Sequence, residues 1–267
     1  MTTESDLTDA LAPLVRSPER VALLFDVDGT LSPIVERAAD AALLPGVHEL
    51  LQRATKRFGY IALVTGRSPE DLDRIVAMPA VDAATNHGME LKQGGTLRTA
   101  AAAEPYLPEI RRFAERWNSD TALESAGIWL ENKGSTLSFH FRTAPDPDVA
   151  KAFVDATVGM EAEAAGLATG WGRRILEVRP PVAIDKGTAV RELLAETETR
   201  VAAYFGDDLT DLDAWRELRS MRDEGELDTV ICIAAASDEA SPTIAKSADF
   251  VVDGPDGVRT TLAELLE

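Results

Sequence analysis

The chain has a single cysteine, Cys232, in 267 residues, so no disulfide can form within it. That cysteine lies in the apolar run TVICIAA and reads as an inert buried thiol. Positive charge is also scarce: 27 basic residues face 46 acidic ones, a formal charge of −19. As a whole, such a surface repels a nucleic-acid duplex and an anionic membrane. A small anionic ligand is admissible only where basic residues or a cation reverse the field locally. No apolar stretch is long enough to span a bilayer, and MTTESDLTDALAPLVR carries acids too early for a secretory signal. The expectation is a cytoplasmic protein with no nucleic-acid or membrane partner, and a monomer. Repeats and low-complexity segments are absent from the sequence.

What is present is a rhythm. The short apolar runs VALLFD (21–26), YIALVTG (60–66), DAATNHG (82–88), VAAYFGDD (201–208), TVICIAA (229–235) and DFVVDG (249–254) alternate with amphipathic stretches. Continuous apolar strands between helices predict an α/β, doubly wound, mainly parallel sheet covered on both faces. SPEDLDRIVAM carries a helix start, with Ser68 as N-cap, Pro69 at the first helical position and Asp71 three on. The rhythm breaks between about 103 and 180, where helix, two strands, helix and two strands follow one another. That segment predicts an inserted α+β cap at 103–180, with the core assembled from 1–102 and 181–267.

Polar residues gather where these strands end, the position at which open parallel sheets bind ligands. Asp26 and Asp28 follow the first strand, Thr65, Gly66 and Arg67 the second, and Asn86 and His87 the third; Asp207 and Asp208 follow a later one, with Asp211 close behind. Lys186 opens a helix after VAID. Converging carboxylates repel one another unless a hard cation lies among them, and Mg²⁺ accepts one or two carboxylates together with phosphate. With Lys186 and Thr65 as donors, the same crevice can hold a phosphoryl group. One carboxylate can then attack phosphorus while another serves as acid and base. Gly29 lets the backbone turn sharply between them.

DVDGT after an apolar strand, VTGR, DKG and GDDLTD, in this order, resemble the haloacid dehalogenase-like phosphatases. NHGMEL, LENKGSTLSFHFR, ILEVRPPVAIDKG and GDDLTDLDAW are similar, more narrowly, to trehalose-6-phosphate phosphatases. The resemblance implies a HAD-like core with a cap and a Mg²⁺ cofactor. It implies hydrolysis of trehalose 6-phosphate through an aspartyl-phosphate. Asp26 is then the nucleophile, Asp28 the acid/base, and Thr65 and Lys186 the phosphate binders. Asp26, Asp28 and Asp207 hold the metal, supported by Asp208 and Asp211. Gly66, Arg67, Asn86 and His87 belong to the substrate side, as does Arg142, and the resemblance assigns the sugar hydroxyls to Glu131, Lys133 and Glu177 of the cap. Val27 and Leu212 depart from residues common in that family.

Other readings stand beside these. Arg67 can simply pair with a neighbouring acid, Glu131 and Lys133 can form only an ion pair, and His87, His140 and Arg142 can be structural. Trp129 and Trp171 read as cap core. At the level of function, the alternatives are a related phosphatase acting on sucrose phosphate or mannosylglycerate phosphate, or a non-catalytic sugar-phosphate-binding module.

Overall fold

The computed structural model describes residues 11–35, 37–172, 174–236 and 242–267. The first ten residues, part of the segment expected to carry no signal or span, lie outside this set, as does Arg173 of the segment expected as a cap. The chain divides into two compact units, residues 1–98 with 184–267 and residues 99–183.

The first unit is built on an eight-stranded sheet. In spatial order the strands are β12 (Phe250–Asp253), β11 (Thr229–Ala236), β10 (Val201–Gly206), β1 (Val21–Phe25), β2 (Tyr60–Val64), β3 (Asp82–Thr85), β4 (Glu90–Gln93) and β5 (Thr96–Thr99). The six strands from β12 to β3 pair in parallel, and β4 is antiparallel to β3. All five residues of β1 are buried, which is why its sequence is apolar without alternation. Its two faces enter different cores. Leu23 and Phe25 pack with α2 (Val47–Arg57), α3 (Pro69–Val76) and α11 (Gly254–Glu264). Ala22 and Leu24 pack with α8 (Lys186–Leu194) and α9 (Asp211–Asp223). Helices on both faces of a mainly parallel sheet are the doubly wound architecture predicted from the alternating runs.

Ser68 caps α3 as expected, its Oγ accepting the Asp71 N–H at 3.2 Å. The hairpin strands β4 and β5 had no expected counterpart. Their sequence, ELKQGGTLRT, is too polar to stand out, and β5 is almost wholly exposed.

The second unit has a four-stranded antiparallel sheet in the order β6 (Trp129–Asn132), β7 (Leu137–His140), β9 (Ile175–Arg179) and β8 (Ala168–Gly172). One face carries Leu137, Phe139, Leu176 and Val178, buried with Ile110, Phe113 and Trp117 of α4 (Leu107–Asn118). The second helix expected in the cap is α6 (Pro147–Val154) and α7 (Met160–Ala164), joined by a π-helical turn at Asp155–Gly159. A short helix α5 (Thr121–Ser125), capped by Asp120, precedes β6. Among the described residues no helix is long and apolar enough to cross a membrane.

Candidate active site

The carboxyl ends of β1, β2, β3 and β10 carry the polar residues of the first unit. Asp26 follows β1 directly and donates its backbone N–H to the Phe205 carbonyl at 2.8 Å, so β10 holds it in strand register. The residue is only 5% exposed. Lys186, the first residue of α8 and 3% exposed, donates from Nζ to Asp26 Oδ1 at 2.9 Å and to Asp211 Oδ1 at 2.7 Å. A lysine at a helix N-terminus opposes the helix dipole. Here two buried carboxylates compensate it, and Asp185 closes the helix start in a capping box with Thr188.

Asp211 is fully buried, and its carboxylate accepts four hydrogen bonds. Oδ1 takes Lys186 Nζ and the Tyr204 hydroxyl (2.8 Å), while Oδ2 takes the backbone N–H groups of Asp207 and Asp208, both at 3.0 Å. It therefore positions the lysine and the turn after β10. Two glycines make room: a Cβ on Gly29, whose φ is +76°, would overlap the Asp207 carboxylate, and one on Gly206 would overlap that of Asp211.

Asp26, Asp207 and Asp211 bring carboxylate oxygens within 4.8 Å of one another. With one lysine among three acids, the cluster is short of positive charge. Burial pushes the Asp26 carboxyl well above the usual carboxylate range; Lys186 opposes this, and Asp211, Asp207 and Asp28 add to it. Asp207 is pushed up to about 7 by burial and by Asp211, against Lys186. Lys186 itself would lose its proton on burial, but Asp211 and Asp26 outweigh that and raise its pKa. Buried acids that titrate this high fit a divalent cation, whose charge would stabilise their ionised forms. Asp208 is exposed, caps the Leu209 N–H at 2.6 Å and stands apart from the three.

Asp28, half-buried, is gripped by Arg67, which donates Nε to Oδ2 and Nη2 to Oδ1, both at 2.6 Å. Arg67 thus pairs with an acid, and that acid is the expected acid/base. Thr65 is buried and its Oγ1 accepts the Arg67 N–H at 3.2 Å. The loops after β2 and β3 interlock, with Asn86 N–H donating to the Arg67 carbonyl and His87 N–H to the Thr65 carbonyl. Asn86 and His87 both adopt left-handed backbone (φ 48° and 57°). That strain is held by Asn86 Nδ2 donating to buried Glu90 Oε2 at 2.7 Å. His87 lies against Gly66, where a Cβ would overlap its ring.

In the second unit, register places Glu131, Ser138, Glu177 and Gly170 in one row on the face opposite the core. Lys133 Nζ stands 3.9 Å from Glu131 Oε2, and His140 Nε2 donates to that same oxygen at 2.8 Å. Arg142 is exposed just past β7. Trp129 and Trp171 are not core residues: they are 46% and 45% exposed.

Tyr204, Glu90 and Asp185 escaped sequence reading. Tyr204 sits inside an apolar run, and only its parity, opposite to Phe205 in the core on the other side of the sheet, marks the face on which Asp211 and Lys186 lie. The signal for Asp185 was present, an acid three residues before a threonine at a helix start.

Comparison with known proteins agrees with the geometry. A trehalose-phosphatase family profile matches residues 24–253. The chain is 34% identical over 221 residues to a trehalose-phosphate phosphatase of Mycobacterium tuberculosis, covering 79% of this chain and 56% of that protein. It is 36% identical over 208 residues to an uncharacterized glycosyl hydrolase of the same organism, covering 75% of this chain and 15% of that protein. The chain thus spans about half the length of the first relative and a small part of the second. Among solved structures, the C-terminal domain of the C. albicans trehalose-6-phosphate phosphatase aligns with a TM-score of 0.73 at 23% identity, covering 97% of this chain and 96% of that one, a likeness of fold. With a family match running from the end of β1 to the end of β12, this chain belongs to the trehalose-phosphatase family, within the HAD-like fold.

Proposed function

We propose that the chain is a Mg²⁺-dependent phosphatase that hydrolyses trehalose 6-phosphate to trehalose and phosphate through an aspartyl-phosphate on Asp26. The observation that carries this reading is the buried set of Asp26, Lys186, Asp207 and Asp211 at the carboxyl ends of β1 and β10. It offers a fixed nucleophile, a cation that stays protonated, and acids suited to a divalent ion.

Asp26 and Asp207 would hold the metal, with Asp211 orienting the turn that carries Asp207. When bound, Mg²⁺ supplies positive charge to the phosphoryl oxygens and relieves the repulsion among the carboxylates. Lys186 fixes the Asp26 carboxylate through Oδ1 for attack on phosphorus and adds charge beside it. As the Asp26–phosphorus bond forms, the bond from phosphorus to the sugar oxygen breaks, and protonated Asp28 gives its proton to that oxygen. Asp28, now a carboxylate, takes a proton from water as the water attacks phosphorus, which releases phosphate and regenerates Asp26.

In the geometry described, both Asp28 oxygens accept from Arg67. The acid step therefore requires Asp28 to leave the guanidinium, and a substrate phosphate is the natural competitor for it. Thr65 and the backbone around Arg67 serve the phosphate. Glu131, Lys133, Glu177 and Arg142 of the second unit serve the sugar, where hydroxyls left unpaired by a wrong ligand give discrimination.

Phosphate release measured over trehalose 6-phosphate, sucrose phosphate, mannosylglycerate phosphate and glucose 6-phosphate, with and without Mg²⁺, tests the proposal. Preferred, Mg²⁺-dependent turnover of trehalose 6-phosphate supports it. A different preferred sugar corrects the substrate, and binding without turnover assigns a non-catalytic module.

A further inference from the structure

We propose that Trp129, seated on His140, is a platform on which a pyranose ring of the substrate stacks. This deepens the sugar-phosphate reading above and rests on it. The indole of Trp129 and the imidazole of His140 are parallel, with centroids 3.9 Å apart and planes 5° apart. His140 is locked in that plane because its Nε2 donates to Glu131 Oε2 at 2.8 Å. One face of the indole is therefore covered by a fixed ring, yet the residue remains 46% exposed.

Its position on the sheet is specific. Trp129, His140, Ile175 and Gly172 form one row across the four strands, and Glu131, Ser138, Glu177 and Gly170 form the next row on the same face. At the β8 end both rows finish in glycine, so no side chain of that strand rises over these two rows. A flat apolar ring beside carboxylates and a lysine matches a sugar, whose C–H face packs on an aromatic plane while its hydroxyl rim reaches Glu131 and Lys133. An inorganic phosphate would gain nothing from the indole. Trp171 differs: it meets Phe141 edge-on at 6.2 Å and lies 4.9 Å under Lys151 Nζ, so its partners are internal to the unit.

The test uses the full chain with its four tryptophan indoles labelled with ¹⁵N, titrated with free trehalose and with trehalose 6-phosphate. Trp129→Phe serves to assign the resonance. The expected result is a shift of the Trp129 indole signal with both probes. In parallel, Trp129→Ala should lower the ratio of kcat/KM for trehalose 6-phosphate to that for acetyl phosphate about three- to tenfold, the scale of one aromatic stacking contact, and Trp129→Phe should restore most of it. A Trp129 signal unmoved at saturating probe, or an unchanged ratio in the alanine variant, overturns the platform. The two readings separate cleanly. A trehalose-dependent shift without phosphate release from any sugar phosphate keeps the platform and removes the phosphatase, and release with an unmoved Trp129 does the reverse.

Discussion

Replacing Asp211 with asparagine probes the arrangement on which the site depends. The Asp211 carboxylate is 0% exposed and accepts four donors, two on each oxygen. An amide keeps the shape but turns one acceptor into a donor. In one orientation its NH₂ faces the N–H groups of Asp207 and Asp208; in the other it faces Lys186 Nζ and the Tyr204 hydroxyl. Either way about two hydrogen bonds to a charged group are lost, at roughly 1.5–3 kcal/mol each. Removing the charge also eases repulsion on Asp26 and Asp207, which returns about 1–2 kcal/mol, on the scale of one pKa unit or slightly more. The net expectation is a destabilisation of about 2–4 kcal/mol, smaller than for an orphaned buried lysine because Lys186 keeps Asp26. Urea unfolding followed by the fluorescence of Trp215, buried on the same helix, reads this directly. Turnover should fall as well, since Lys186 and the Asp207–Asp208 turn lose their common anchor. A variant within about 0.5 kcal/mol of wild type would refute the reasoning and leave Asp211 an ordinary buried acid.

Arg67→Lys replaces a two-point grip on Asp28 by a single contact, so kcat/KM should drop about tenfold or more for every phosphate ester alike; equal activity in steady-state assays would separate Arg67 from the reaction. Lys133→Ala should instead act selectively, lowering the ratio of kcat/KM for trehalose 6-phosphate over acetyl phosphate by about tenfold or more, and a uniform loss would place Lys133 in the fold or the phosphate site. The cluster also predicts a pH effect. Burial and Asp211 push Asp207 up to about 7 from an ordinary value of 3.8, so the stability it contributes is present at low pH and is lost as pH rises through about 7. Mg²⁺ binds the ionised form, so its thermal stabilisation should be large at pH 8 and shrink towards pH 5.5; equal shifts at both pH values would contradict the site.

Much of this architecture was legible because burial on both faces leaves a plain signature. Val21 to Phe25 and Thr229 to Ala236 are apolar without alternation, as strands between two helical layers must be. Strand ends could be read as well, since a charged pair such as Asp26 and Asp28 closing an apolar run demands a compensating partner. The illegible parts lie where local sequence does not encode the contact. The hairpin from Glu90 to Thr99 is polar because it ends the sheet, so nothing but its partner β3 identifies it. That Arg67 closes on Asp28, 39 residues away, is a matter of loop geometry. Trp129 and Trp171 looked like core because tryptophan usually is; Trp129 is exposed because strand parity puts it on the face opposite the core, and Trp171, paired with Leu176 on the core face, because β8 is a sheet edge.

The account turns on Asp26 as a nucleophile, and a single turnover in ¹⁸O-labelled water tests it most directly. With enzyme in excess over trehalose 6-phosphate, water attacks phosphorus of the aspartyl-phosphate, so the label should appear in released phosphate. Asp26 should carry none in the peptide that contains it, and Asp26→Asn should stop release while leaving the fold intact. Label in the Asp26 carboxylate would mean that water attacks carbon, and release by Asp26→Asn near the wild-type rate would mean that no aspartyl-phosphate forms there; either result contradicts the mechanism.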